Sequence, residues 1–157
     1  MADSDSDRLA IRASAGERLA LIAESFARLA GRPLVECASG DVEQALWQAS
    51  RAIVAHDTQS VPRFFYGNRV ALDLFAMTAV QFIGLPSHRS AEPASRDERA
   101  RMLGMLEQRD IVDGYTGVRV TADGRRFEVA GAQVWNLVDR HGRRHGQAAT
   151  FAEWREL

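Results

Sequence analysis

RFFYGNRVALDLFAMTAVQFIGLPSHRSAEP, residues 63–93, is the stretch from which the fold can be read. It opens on an apolar aromatic run, Phe64, Phe65 and Tyr66, that reads as a strand. Gly67 and Asn68 stop the run. Asn68 suits an N-cap, because its short side chain can accept from the free amides of the next turn. Val70, Ala71, Leu74 and Phe75 then follow helical spacing. Thr78 and Gln81 form a T-x-x-Q capping box for a second short helix carrying Val80, Phe82 and Ile83. Gly84 ends that helix and Pro86 prevents its continuation. One strand therefore feeds two short helices, a unit suited to form the wall of a pocket.

On the N-terminal side, residues 51–56 (RAIVAH) read as a short strand ending at His56, and residues 57–62 as a turn. This strand and the Phe64–Tyr66 run make an antiparallel pair. Before them, Asp41 and Gln44 open a helix with Val42, Ala45, Leu46 and Ala49 on its apolar side and Trp47 adjacent. Residues 34–40 are a connector holding Cys37, which no neighbouring base activates. Residues 8–30 are alanine-rich and helical, with Leu19, Ile22, Phe26 and Leu29 on one stripe. That stripe packs either on the domain's own sheet or on a second copy of the chain. Residues 1–7 read as a disordered tail.

On the C-terminal side, Ser95 and Glu98 form an S-x-x-E capping box. The helix they open carries Met102, Leu103, Met105 and Leu106 inward, and Arg96, Glu98, Arg99 and Arg101 on a solvated face. The period then changes to two. Val112, Thr116, Val118 and Val120 alternate with Tyr115 and Arg119, and Asp123-Gly124 is a hairpin turn. Residues 125–138 form a long strand with Phe127, Val129, Gln133, Trp135 and Leu137 on one face. Glu128, Ala130, Ala132, Val134, Asn136 and Val138 lie on the other. After a turn at residues 139–142, the last strand sets Gln147, Ala149 and Phe151 against Gly146, Ala148 and Thr150. Three strands joined by tight turns make a meander.

Composition bounds the function. The 157 residues are 46% hydrophobic and 26% charged, with a net charge of −1, as in an ordinary soluble domain. No global positive field is available to attract nucleic acid or an acidic membrane. All 20 basic residues are arginine, so a Schiff-base lysine is excluded. The acidic start lacks an apolar core and does not read as a signal peptide, and no run approaches the ~20 apolar residues of a membrane span. A single cysteine excludes an intramolecular disulfide and a cysteine-built zinc site. A cytoplasmic protein is the simplest reading.

Strand, strand, short helices and a three-stranded meander is the order of a PAS domain. Several blocks sharpen the match: His56-Asp57-Thr58-Gln59, Tyr66-Gly67-Asn68-Arg69, and Leu85-Pro86-Ser87 with Ser90-Ala91-Glu92-Pro93. Tyr115-Thr116-Gly117-Val118-Arg119, Val134-Trp135-Asn136-Leu137 and residues 145–151 (HGQAATF) follow. Together they resemble the MEKHLA-domain family, PAS-like domains found alone in bacteria and at the C-terminus of plant class III homeodomain–leucine zipper proteins. The resemblance runs from about residue 19 to 154. The hexapeptide that names the family is absent, and a chain without lysine cannot carry it.

The resemblance implies an α+β, PAS-like fold. Its five-stranded antiparallel sheet has the order 2-1-5-4-3, with short helices on one face. Residues 51–157 would be the PAS-like domain and residues 8–50 an N-terminal helical extension. Such domains hold a small molecule between sheet and helices, or pair with another copy, so a sensory module and homodimer is the leading expectation. A protein-interaction domain with a filled core and a small enzyme with a cone-shaped pocket are the alternatives. Tyr66, Arg119, Trp135, Gln147 and His56 are the candidate ligand-binding residues: a stacking wall, a guanidinium, an amide and an imidazole. Both faces of the last two strands carry apolar residues, so alternation leaves open which face is inside. Arg119 could instead pair with Glu128 across the hairpin.

Cofactor identity stays open, with flavin and haem as candidates. Light-oxygen-voltage photochemistry needs a cysteine on a helix over the flavin, and Cys37 precedes the first strand. Gln147 does fall on the strand where those photosensors carry a flavin-facing glutamine. Haem in PAS domains hangs from a histidine on or near the long helix; residues 95–109 contain none, and His88 lies just before them. His141 and His145 sit at a hairpin, where an H-x3-H interval does not share a face, so no metal site is expected. No catalytic residue is assigned. His56 with Asp57, or Glu92 with His88, would be the acid–base pair of an enzyme.

Overall fold

The computed structural model describes residues 4–37, 40–91 and 96–157. Five strands form an antiparallel sheet: β1 (Ala52–His56), β2 (Phe64–Gly67), β3 (Ile111–Val120), β4 (Arg126–Val138) and β5 (Arg144–Phe151). Their order, β2-β1-β5-β4-β3, is the one the resemblance implies. A sixth strand, β6 (Glu153–Glu156), was not expected. It continues β5 beyond Ala152 and pairs with Phe127–Ala130 of β4.

Among the described residues, six helices cover the sheet from both sides. On the outer face lie α1 (Ser4–Ala15) and α2 (Arg18–Ala30), with α3 (Val42–Gln48) beside them. The stretch read as one helix breaks at Gly16, whose φ of 55° suits a glycine. The helix also starts earlier than expected. Ser4 to Asp7, read as part of a disordered tail, form the first turn of α1, where Asp5 and Asp7 complement the helix dipole. Asp7 is buried, and its Oδ1 accepts from the Ala79 amide at 2.8 Å, so α1 is tied to a helix across the fold.

The stripe on α2 packs on the chain's own sheet. Phe26 meets Trp135 edge-on, with ring centroids 4.9 Å apart, and the Trp135 indole donates to the Ile22 carbonyl at 3.2 Å. Ser14 donates to the Phe65 carbonyl on edge strand β2, and the Ser25 hydroxyl exchanges hydrogen bonds with both backbone groups of Val138. The two helices thereby satisfy strand backbone groups as well as burying apolar surface.

The inner face is covered by α4 (Arg69–Phe75), α5 (Ala79–Phe82), a 3-10 turn (Ser87–Ser90) and α6 (Arg96–Gln108). Thr78 and Gln81 make both bonds of the expected capping box on α5. The expected box at Ser95 and Glu98 involves Ser95, which lies outside the described residues. Asn68 does more than cap α4. Its Oδ1 accepts from Ala71 (3.1 Å) and Ile53 (3.0 Å), and its Nδ2 donates to the carbonyls of Leu46 (3.0 Å) and Arg51 (2.8 Å). One fully buried amide thus joins α3, β1 and α4 with its full acceptor and donor set in use.

Bulges decide which side chains face inward. At the β1–β2 pair the register slips between Ala55 and His56: Ala55 opposes Tyr66, His56 opposes Phe64, and Phe65 is the extra residue. In β4 the phase reverses at Gly131, with φ of 68°, and in β3 at Gly114, with φ of 72°. Phe127 and Val129 therefore share the inner face with Ala132 and Val134, although strict alternation sets them apart.

Candidate functional site

The inner face and α6 enclose a cavity. Its walls come from Val54 and His56 on β1, Phe64 on β2, Phe75 on α4, Ser87 and Ser90 of the 3-10 turn, and Arg99, Met102 and Leu103 on α6. Tyr115 and Arg119 on β3, Val129, Ala132 and Val134 on β4, and Gln147, Ala149 and Phe151 on β5 complete it. The volume open to the centres of water-sized spheres is about 50 Å³. A single water needs about 10–15 Å³ on that scale, so the space fits about four small groups.

Three of the five residues named from the sequence meet here: His56, Arg119 and Gln147. The other two do not. The bulge at Phe65, between the Ala55 and His56 pairings, turns Tyr66 to the outer face, against Ile11, Leu19 and Trp47 under α1 and α2. Its hydroxyl is buried without a hydrogen-bond partner among the described residues, and burial raises its pKa above the ordinary phenol range. Trp135 is one residue out of phase with Val134 and packs under α2. Neither side chain can supply a wall for the cavity.

Arg99 corrects the reading of α6. Expected on the solvated face, it lines the cavity and donates to the Ser87 hydroxyl at 2.5 Å. Its spacing from Met102, Leu103 and Leu106 sets it on the same helical stripe, which was the signal available in the sequence. Burial, with the charge of Arg119 adding to it, lowers its pKa to about 10. Burial also lowers Arg119, whose guanidinium carbon lies 5.7 Å from the centroid of the Tyr115 ring. Arg119 does not pair with Glu128, which is held by Arg155 at 3.1 Å instead; Val118, not Arg119, opposes Glu128. Among the described residues no carboxylate forms an ion pair with Arg99 or Arg119.

His56 is a neutral imidazole. Burial dominates in holding its pKa down to about 4, and the charges of Arg99 and Arg119 push the same way. Its Nδ1 lies 3.0 Å from the Asp57 carbonyl oxygen, not from the Asp57 carboxylate. That carboxylate accepts from Gln59 and from the Arg63 amide, so the two residues are no acid–base pair. Glu92, of the other candidate pair, lies outside the described residues, and His88 does not line the cavity. Gln147 Nε2 donates to Asn136 Oδ1 at 3.1 Å, and Asn136 in turn donates to the Leu106 carbonyl and to Asp110. Tyr115 is 8% exposed, and its hydroxyl has no partner among the described residues.

A family model, the MEKHLA domain, matches residues 17–156. The chain belongs to the MEKHLA domain family. The matched segment takes in α2 and α3 as well as the sheet and its inner helices. Among curated protein sequences none is significantly similar. Solved structures show the fold. The PAS domain of a Colwellia psychrerythraea protein superposes with a TM-score of 0.59 at 16% identity, covering 73% of this chain and 92% of that one. An RNA-binding light-oxygen-voltage receptor gives 0.63 at 18% identity, over 76% of this chain and 33% of the receptor. The light-state dimer of the fungal blue-light photoreceptor Vivid gives 0.55 at 14%, over 68% and 79%.

The MEKHLA chain does not fit the photochemistry of the last two. Its one cysteine, Cys37, lies between α2 and α3 and is absent from the cavity wall. Gln147 occupies the expected strand position, yet its amide is already engaged by Asn136. Haem fits no better, since α6 presents no histidine and the cavity is far smaller than a porphyrin. Metal is not favoured either. His145 is bonded to Asp139 at 2.8 Å, and among the described residues no cluster of three metal-ligating groups exists.

Proposed function

We propose that this MEKHLA domain is a sensory module that holds a small molecule between α6 and the inner face of its sheet. The observation that carries the reading is convergence: polar side chains from β1, β3, β5 and α6 meet in one apolar-walled cavity at the position PAS folds use. Residues 51–157 are the sensing core in this reading, and α1, α2 and α3 carry its state outward. Asp7 supports that role, because it links α1 directly to the Ala79 amide at the start of α5 on the other side of the sheet. The module works as a homodimer in the cytoplasm; the Vivid light-state dimer is a precedent for pairing by this fold. No helix among the described residues is long and apolar enough to cross a membrane.

The small volume supports a second reading, an interaction domain whose core is simply filled. Native mass spectrometry of freshly purified protein, followed by denaturation and analysis of what is released, separates the two. The sensory reading expects a retained or addable small molecule at one per chain. A protein that retains nothing, and whose melting temperature no compound in a broad metabolite set changes, would overturn it.

A further inference from the structure

We infer that the cavity takes a small anion with a short apolar tail, a monocarboxylate of two to four carbons, whose head is held by Arg99 and Arg119. The inference rests on the sensory-pocket reading and names its ligand class.

Four observations carry it. First, two guanidiniums reach the same cavity from different elements, Arg99 from α6 and Arg119 from β3. Their planar forks match a carboxylate, and two like charges placed together without a counter-charge are costly unless an anion joins them. Second, no carboxylate among the described residues forms an ion pair with either one, and the partner found for Arg99 is the neutral Ser87 hydroxyl. Third, the Tyr115 hydroxyl is buried in the same wall without a hydrogen-bond partner among the described residues. A buried donor of this kind calls for an acceptor, and an anion is one. Fourth, the remaining wall is apolar, with Val54, Phe75, Met102 and Phe151 among its members. The space of about 50 Å³ suits an acid of four to six non-hydrogen atoms. Cations are excluded by the same charges that favour an anion. The positive character is local, since the whole chain carries a net charge of −1.

The test is calorimetric titration of the full chain with acetate, propionate and butyrate. Propionamide serves as the neutral isostere, and chloride, nitrate and phosphate as inorganic anions. The carboxylates should bind one per chain and propionamide should not. Arg119→Met and Arg99→Met should each weaken binding by about ten- to a hundredfold, the range for losing a charged hydrogen-bond partner. Arg101→Met, on the exposed outer side of α6 beside Glu98, should leave it unchanged. Should Arg119→Met fail to fold, Arg99→Met and the amide comparison still decide. Equal binding of acid and amide, or full affinity in Arg99→Met, overturns the anion inference while the pocket reading survives. Inorganic anions that bind while the carboxylates do not overturn the assigned tail. If neither acids, amide nor inorganic anions bind, the inference fails; if a wider set of neutral compounds fails as well, the pocket reading fails with it.

Discussion

Replacing Asn68 with alanine should remove more stability than a helix cap alone. The buried amide serves four backbone groups. In Asn68→Ala the amides of Ile53 and Ala71 lose their acceptor, and a stranded buried amide costs about 1–3 kcal/mol. The carbonyls of Leu46 and Arg51 lose a donor, at about 0.5–1 kcal/mol each, because a carbonyl retains a second lone pair for other partners. The sum is about 3–8 kcal/mol, with about 4 kcal/mol expected if water enters the gap. For a chain of this length that corresponds to about 8–16 °C in Tm. Urea unfolding and calorimetry would measure it. Asn68→Asp is the discriminating partner. It keeps the acceptor for both amides but turns a second oxygen toward two carbonyls, a contact that favours the protonated acid. The folded-state pKa of that carboxyl is then raised. The variant should be most stable below about pH 4 and lose stability as pH rises through the raised value. A loss below about 1 kcal/mol in Asn68→Ala would refute the junction role and reduce Asn68 to an ordinary cap.

Other outcomes follow from single contacts. His56, faced by Arg99 from α6, Arg119 and Tyr115 from β3 and Gln147 from β5, and followed by Asp57 on its own segment, has its pKa held down to about 4. The unfolded chain takes up this proton near pH 6.5 and the folded chain does not. Stability from this group is therefore full above about pH 6.5 and falls by about 3 kcal/mol as pH drops toward 4. His56→Gln should flatten that slope in urea titrations between pH 4.5 and 7.5, and an unchanged slope would assign it elsewhere. Gly146, with φ of 143°, lies where a Cβ would collide with the His56 carbonyl oxygen, so Gly146→Ala should cost more than about 3 kcal/mol or prevent folding. Trp135→Phe loses the bond to Ile22 on the outer face and should cost about 1–2 kcal/mol while leaving ligand affinity unchanged.

Local chemistry was legible in the sequence wherever it depends on neighbours. The N-cap at Asn68, the box at Thr78 and Gln81 and the hairpin turns follow from spacing and turn residues, while the strand order followed from the resemblance to PAS-like domains. Side-chain direction depends on phase along a whole strand, and one inserted residue reverses it. Phe65, Gly114 and Gly131 are such insertions. Strict alternation therefore grouped Phe127 and Val129 with Trp135, which faces the other way, and it could not show that Tyr66 and Trp135, named for their aromatic rings, point out of the cavity. A glycine inside a long strand is a recognised sign of a bulge, so Gly131 could have warned of the reversal. Arg99 was missed because an arginine among charged neighbours resembles a solvated face, although its spacing from Met102 and Leu106 set it inward. Ser87 enters the site only through tertiary packing that no local pattern encodes, whereas Tyr115 shares a strand face with Arg119 and could have been named with it.

The central claim is that the space between α6 and the inner sheet is a binding site. Methyl NMR of protein labelled at its methionines addresses it directly, because Met102 lines that space while Met105 is exposed on the far side of α6. During titration with propionate the Met102 methyl should shift progressively and saturate, with Met77 and Met105 fixed. A Met102 signal that stays in place under every compound that binds the protein would contradict the account.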